Sequence, residues 1–373
     1  MKKIALYFFI LTLTIACAQN QKQDDIQLAE EKSRNFTIET VVDNLSNPWG
    51  MTWLPDGSML ITEKSGELIH FKDGNKTIIE NLPEIYVRGQ GGLLDIAIHP
   101  NYTENGWIYI THVSSEGEGT GGNTKLIRAK LDGNKLTQME SLYKATPNTK
   151  RGQHFGSRIA FDQDGHVYFS VGDRGNRDVN PQDIDRDGGK IYRLNDDGSI
   201  PSDNPFVNDR NAKKAVYSYG HRNPQGMTMH PDTGKIWVHE HGPKGGDEIN
   251  IIIKGANFGW PIISYGINYS GTKFTEETSR PGMEQPVYYW VPSIAPCGMD
   301  FVTGNNYPAW KGRLLVGSLK FNYVELLQLE GDQIVGRQKI ADDIGRVRNV
   351  KMGPDDLIYI AIEGRGIVRL EPK

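Results

Sequence analysis

A tight turn of Pro, Asp, Asn or Gly that opens a strand of aliphatic and aromatic residues recurs six times in this chain, and nothing else in it restricts the fold as strongly. The copies fall at residues 54–61, 99–110, 161–170, 230–238, 310–316 and 353–360. Each is followed by a second strand-like run, at 67–71, 125–129, 189–194, 248–252, 324–329 and 366–370. Runs of strand length bounded by turn formers, with helical periodicity hard to find, specify an all-β repeat. One such hairpin cannot cover its own apolar face, so the copies must stack. Six of them predict a six-bladed β-propeller, in preference to a pair of β-sandwiches or a β-helix. The spacing is unequal because long polar loops intervene, at 111–123, 173–188, 195–215 and 265–286, and such loops in a compact repeat fold are expected to cover the functional face.

The propeller is expected over residues 36–373. Ahead of it, Lys2-Lys3 and an apolar run from Ile4 to Ala16, too short for a folded membrane span, read as an export signal over residues 1–16. Leu13-Thr14-Ile15-Ala16-Cys17 resembles a loose lipobox, so Cys17 is expected to be acylated and the polar stretch 18–35 to be a flexible tether. The protein would then be exported, periplasmic or membrane-anchored, and touch the membrane only through its lipid. Acidic side chains outnumber basic ones, 46 to 42, and loss of Lys2 and Lys3 with the signal deepens the imbalance, which disfavours nucleic acid as a partner. With Cys17 acylated, Cys297 is the remaining thiol and no intrachain disulfide can form.

Four segments carry chemistry. Gln90 sits among glycines in Arg88-Gly89-Gln90-Gly91-Gly92, where the backbone can approach a flat ligand, although alone the segment is only a turn. His154, in His154-Phe155-Gly156-Ser157-Arg158, is the residue type suited to take a hydroxyl proton near neutral pH, and Asp173, in Val171-Gly172-Asp173, can orient it or cap a turn. Residues 219–250 bring His221, Arg222 and Asn223 ahead of Pro224, then Gly242, Pro243, Asp247 and Glu248, a mixture of carbonyls and carboxylates that suits calcium. Lys320, Arg346 and Arg348 add cations. With Arg222 they make four from three blades able to meet at a propeller's mouth, where like charges need an anion among them. Taken singly, each of these residues also has an ordinary surface or packing role. The histidines form no zinc pattern, and no P-loop, nucleophile elbow or dinucleotide fingerprint is present.

Read together, these segments, with Gly220-His221-Arg222-Asn223-Pro224-Gln225-Gly226, Gly246-Asp247-Glu248-Ile249-Asn250, Asn257-Phe258-Gly259-Trp260-Pro261 and Ser318-Leu319-Lys320, resemble the pyrroloquinoline quinone-dependent aldose sugar dehydrogenases, relatives of soluble quinoprotein glucose dehydrogenase. The resemblance runs from about Leu45 to Leu370 and implies the same six-bladed propeller. It implies an oxidoreductase that takes aldoses at C1 to lactones by hydride transfer to calcium-bound pyrroloquinoline quinone. An external electron acceptor would be needed, since no haem-attachment motif is present. By resemblance, Gln90, His154, Arg222, Asn223, Lys320, Arg346 and Arg348 contact the cofactor, with His154 as the base steadied by Asp173. The carbonyls of Gly242 and Pro243 would bind calcium, and Glu248 with the carbonyl of Phe258 would hold a second, structural calcium.

His241 stands where the glucose dehydrogenases carry Gln, and shorter loops between blades imply a more open sugar pocket. Cys297 falls in a segment near the substrate in relatives, although a small buried residue is the simpler reading. Two other classes compete. A calcium-dependent propeller lactonase or esterase needs a metal and a His but no cage of cations, and a non-catalytic binding propeller would lose the base or the cage. Which sugar, which acceptor, and monomer or homodimer are left open by the sequence.

Overall fold

The computed structural model describes residues 26–29 and 35–373, and over these the chain forms six antiparallel blades of a β-propeller. Blade one is Pro48–Trp53, Met59–Glu63, Leu68–Lys72 and Asn75–Ile78, in that order across the sheet. Blades two to six open with Leu93–Ile98, Ile159–Phe161, Pro224–Met229, Pro296–Phe301 and Val347–Met352. Each of the six turns singled out in the sequence joins the first strand of a blade to the second, and each following run is the third strand. One four-residue helical turn, Tyr102–Asn105, interrupts the pattern among the described residues.

The first strands were the least legible in the sequence because they crowd the axis. They carry Gly and Pro in runs such as PWGMTW and PQGMTM, and in five blades their register slips, between Pro48 and Gly50, Leu93 and Ile96, Pro224 and Gly226, Pro296 and Met299, and Val347 and Asn349. A bulge of this kind bends the strand and re-aims the residues beside it, which here lie at the mouth of the axis.

The ring is closed by the chain's two ends. Phe36–Asp43 supplies the outer strand of blade six by pairing with Gly366–Pro372. Stability lies between blades: Leu60 and Leu68 of blade one pack on Ile96 and Ile110 of blade two, and Trp237 and Ile249 of blade four on Phe301 and Leu314 of blade five. Each such fully buried side chain is worth about 1.5–3 kcal/mol relative to exposure.

Within the span 18–35 expected to be a tether, residues 26–29 are seated against blade five. Leu28–Ala29 runs parallel to Arg337 and Gln338 as an extra edge strand of blade five, and Ile26 packs on the apolar cluster between blades four and five. Ile26 and Leu28 are the bulky apolar side chains of that polar stretch, which explains why the docking falls there. The expected export signal and Cys17 lie outside the described residues.

Candidate active site

The turns between second and third strands and the loops leading into first strands meet at one end of the axis. They surround a cavity of about 910 Å³. Five cationic side chains line it, Lys64, Lys244, Lys320, Arg346 and Arg348, against the single carboxylate of Glu363. Beside it, sharing Pro243 and Tyr269, opens a second cavity of about 310 Å³ that contains His154, Asp173, Arg151, Arg177, Arg222 and Trp260. Of the four long loops, 173–188 and 265–286 contribute to these walls, whereas 111–123 and 195–215 supply no lining residue. The latter joins the third and fourth strands of blade three, which ends the blade away from the mouth.

His154 and Asp173 form the reactive pair. His154 Nδ1 lies 2.6 Å from Asp173 Oδ1, and Trp260 Nε1 donates to Oδ2 at 2.9 Å. With the carboxylate accepting from Nδ1, the other ring nitrogen, Nε2, is the acceptor left for the cavity. The backbone holds this ring in an unusual place: His154 has φ +57°, and its N–H donates to Gln90 Oε1 at 2.7 Å. A left-handed backbone at a non-glycine residue is retained where surrounding contacts impose it, and such places cluster at functional sites. Gly172 permits the arrangement, since a Cβ there would stand 2.4 Å from the His154 carbonyl oxygen. Burial presses the His154 imidazole below its ordinary value of 6.5, against the opposing pull of Asp173. Burial presses the Asp173 carboxyl the other way, but the bond to His154 and the charge of Arg222 hold it below the ordinary carboxylate value.

This pair is one instance of a device used in four blades. A carboxylate at the end of the second strand ties down the loop that feeds the first strand of the same blade. Glu63 accepts from the Asn47 N–H at 2.9 Å, Asp173 binds His154, Glu240 accepts from the Arg222 N–H at 2.5 Å and from His221 Nδ1 at 2.8 Å, and Glu363 pairs with Arg346 at 2.8 Å and with Arg348. In blade three the tied residue is the candidate base. In blade six the tied residues are two arginines of the cage: Arg346 gives its Nε to Glu363 and its Nη1 to the Leu319 oxygen, and Arg348 gives both Nε and Nη2 to Glu363.

The 242–246 turn is built so tightly that a Cβ on Gly242 would stand 2.1 Å from the Gly245 oxygen. Asp247 fixes it, accepting from the Gly242 N–H at 2.8 Å, Ser293 Oγ at 3.0 Å and the Ala295 N–H at 2.8 Å. With its oxygens so occupied, Asp247 is a support for the turn. The carbonyls of Gly242 and Pro243 accept no hydrogen bond within this network, whereas the His241 carbonyl is taken by Arg222 Nη1 at 2.9 Å. The His241 ring points away, its Nε2 2.7 Å from the Pro296 oxygen, and burial keeps it neutral. Behind the turn lies a void of about 10 Å³ lined by Gly242, Glu240, Glu248 and Phe258. Burial and the neighbouring Glu240 carboxylate push the Glu248 carboxyl well up, the condition of an acid that lacks a cation.

The residues expected from the sequence therefore converge, but in three compartments. Gln90, Asn223, Pro243, Lys320, Arg346 and Arg348 line the large cavity; His154, Asp173 and Arg222 line the smaller one; Gly242, Glu248 and Phe258 surround the void behind. Arg222 is a correction to the four-cation cluster: it stands on the partition between cavities, with its guanidinium 5.4 Å from the Trp260 ring. Asn223 Oδ1 accepts from the Gly156 N–H at 3.2 Å and so joins blade four to the His154 loop. Cys297 is buried, 3.6 Å from guanidinium nitrogens of both Arg158 and Arg348. Sequence reasoning missed Lys64, whose Nζ donates to the Gly89 oxygen at 2.9 Å, and Glu363. Aligning the ends of the second strands, with Glu63, Asp173 and Glu240 as precedents, is the signal that would have found Glu363.

Against known proteins, the sequence profile described as glucose/sorbosone dehydrogenase matches residues 45–369. Aldose sugar dehydrogenase YliI of Escherichia coli (strain K12) is 39% identical over 330 residues, which cover 87% of this chain and 89% of that one. The crystal structure of the soluble aldose sugar dehydrogenase from Escherichia coli in the apo form is similar with a TM-score of 0.86 at 35% identity, covering 91% of this chain and 100% of that one. The PQQ-bound form of an aldose sugar dehydrogenase from Streptomyces coelicolor is similar with a TM-score of 0.73 at 26% identity, covering 91% and 99%.

Proposed function

Because this chain belongs to the glucose/sorbosone dehydrogenase family, we propose that it oxidises aldose sugars at C1 to lactones, with pyrroloquinoline quinone and calcium as its cofactors. The observation that carries this reading is a cavity with five cations and one carboxylate opening beside a His–Asp pair. A flat tricarboxylate suits such a cavity, because clustered guanidinium and ammonium groups repel one another until an anion lies between them. Lys320, Arg346 and Arg348 would hold its carboxylates, with Gln90 and Asn223 beside them and Arg222 at the partition towards His154. The unbonded carbonyls of Gly242 and Pro243 fit calcium, as does the void between Glu248 and Phe258 for a second, structural ion. When bound, the quinone supplies the two-electron oxidant that accepts hydride from C1, and calcium the Lewis acid that polarises it.

The chain's own part is positional and acid–base. His154 Nε2 takes the C1 hydroxyl proton as C1 is oxidised, and Asp173 steadies the imidazolium that results. Trp260 holds the far oxygen of Asp173, so the carboxylate cannot turn away. Asn176, Asp178 and Asn268 give the smaller cavity donors and acceptors for the remaining sugar hydroxyls. The test is titration of the purified apoprotein with pyrroloquinoline quinone and calcium, followed by absorbance and by sugar-dependent dye reduction. A loaded protein that reduces no dye with any aldose sinks the reading.

The base works only when neutral, and burial holds the His154 imidazole below 6.5. The acid limb of kcat/KM is therefore expected to have its midpoint below 6.5, with the rate rising through it and levelling by neutral pH. A limb centred above 6.5 in the pH–rate profile would assign it to another group.

Calcium is expected to stabilise the apoprotein. At one hundred times its Kd a ligand adds about 2.7 kcal/mol, which for a chain of this size is roughly 3–4 °C in Tm. Glu248→Gln should lose part of that response yet raise the Tm in chelator at alkaline pH. The sign follows from the raised carboxyl: a folded-state value above the unfolded one costs stability as pH climbs between the two, and an amide has no such cost. Differential scanning with calcium or chelator checks both. Export and acylation at Cys17 belong to the same proposal and rest on residues 1–17.

A further inference from the structure

Oxidation of one aldose C1–OH to a lactone releases two electrons and two protons, so the reading above requires a route out for the electrons. The two cavities open on one face but on different flanks. The smaller, with His154 and Asp173, belongs to the loops of blades two to four. A second flank of the large cavity is formed by the 242–246 turn, the loop at 291–295 and the turn after Ser318.

That second flank has a composition the sugar does not need. Val291 is 62% exposed and Phe321 42%, and Val291 with Tyr269, at 73%, are the two most exposed large apolar side chains among the described residues. Val291 lies beside Gly245, and Phe321 carries Lys320 Nζ 4.8 Å over its ring, so apolar and cationic groups alternate along one rim. Lys244 and Lys320 form no ion pair among the described residues, and the rim is basic on a chain whose formal net charge is −4. Exposed apolar side chains of this kind, set among charges of one sign, mark a docking site for a partner of the other sign.

We propose that the rim of Lys244, Val291 and Phe321 docks the electron acceptor, and that this acceptor is a small acidic redox protein bearing an apolar patch. Two such molecules each take one electron per sugar oxidised; one proton leaves through His154 and the other passes to solvent. A contact of this sort is small and short-lived, and its rate is set by charge and therefore by salt.

The experiment uses the holoenzyme with a panel of aldoses, the fastest of them as substrate, and three oxidants: a small neutral dye, an acidic c-type cytochrome and a basic cytochrome c. Reduction of the acidic cytochrome is expected to exceed that of the basic one and to fall at least tenfold between low and high ionic strength, with dye reduction unchanged. The double variant Val291→Ser, Phe321→Ser is expected to slow the acidic cytochrome about tenfold and leave dye reduction within twofold of the parent. Equal rates with both cytochromes, no dependence on salt, or a variant that slows dye and cytochrome alike would overturn the proposal. So would loss of binding to anionic vesicles with cytochrome reduction intact, which would assign the rim to a lipid surface. A holoenzyme that reduces not even the dye would refute the dehydrogenase reading on which the proposal rests.

Discussion

Replacing His154 by alanine should lower kcat by about a thousandfold, within the 10²–10⁴ range that a positioned general base contributes, while the Kd for pyrroloquinoline quinone changes by only a few-fold. The separation follows from the compartments. His154 faces the smaller cavity, whereas the cations expected to grip the cofactor, Lys320, Arg346 and Arg348, face the larger one. The backbone contact that does join the two, from the His154 N–H to Gln90 Oε1, does not use the imidazole that alanine removes. Stopped-flow turnover and a cofactor titration on the same preparation decide the matter. Loss of cofactor binding, with turnover restored at saturating cofactor, would make His154 a structural residue. Asp173→Asn is the companion variant: an amide can present the wrong group to Nδ1, the tautomer that frees Nε2 is no longer imposed, and kcat should fall without a matching change in KM.

The second large effect belongs to the arginines of blade six. Converting Arg346 and Arg348 together to alanine removes two charge-assisted contacts of about 1.5–3 kcal/mol each, a loss of roughly 10²–10⁴ in cofactor affinity. Glu363 makes the outcome diagnostic. It is paired with both guanidiniums, so in the double variant its carboxylate is left facing the carboxylates of the incoming cofactor. Adding Glu363→Gln to the double variant should therefore recover part of the affinity, and that recovery should shrink as salt is raised. An unchanged Kd in the double variant would remove both arginines from the cage; a further loss on adding Glu363→Gln would show that the carboxylate serves only the fold. Absorbance titration at two salt concentrations reads all of these.

The sequence showed the propeller through its turns and third strands, because those obey local rules: Pro-Asp-Gly chemistry at the bend and a continuous apolar run where both faces of a strand are covered. First strands were obscured by the Gly, Pro and bulges that crowding at the axis demands, as at Pro48 and Gly50. The closing strand Phe36–Asp43 was hidden for a different reason, since its partner Gly366–Pro372 lies at the other end of the chain. Among site residues, His154, Arg222 and the Gly242-Pro243 turn stood out because their residue types are chemically distinctive in context. Glu363 and Lys64 did not: an acid or a lysine at a hairpin end is ordinary until the opposite loop is known to meet it.

By itself, then, the sequence determined how many blades there are, where each bends, and which donors and carboxylates are available to a site. Only the tertiary structure decided which of them share a compartment. Arg158 illustrates the reason. Its guanidinium donates to the Trp49 oxygen at 3.1 Å, to Asp95 at 3.1 Å and to the Arg348 oxygen at 2.7 Å, partners 109, 63 and 190 residues away in sequence. Strand pairing within a blade is a neighbour effect and is written in short segments. The charge balance at the mouth is a sum over loops from every blade, and it exists only once the ring has closed and water has been excluded from between them.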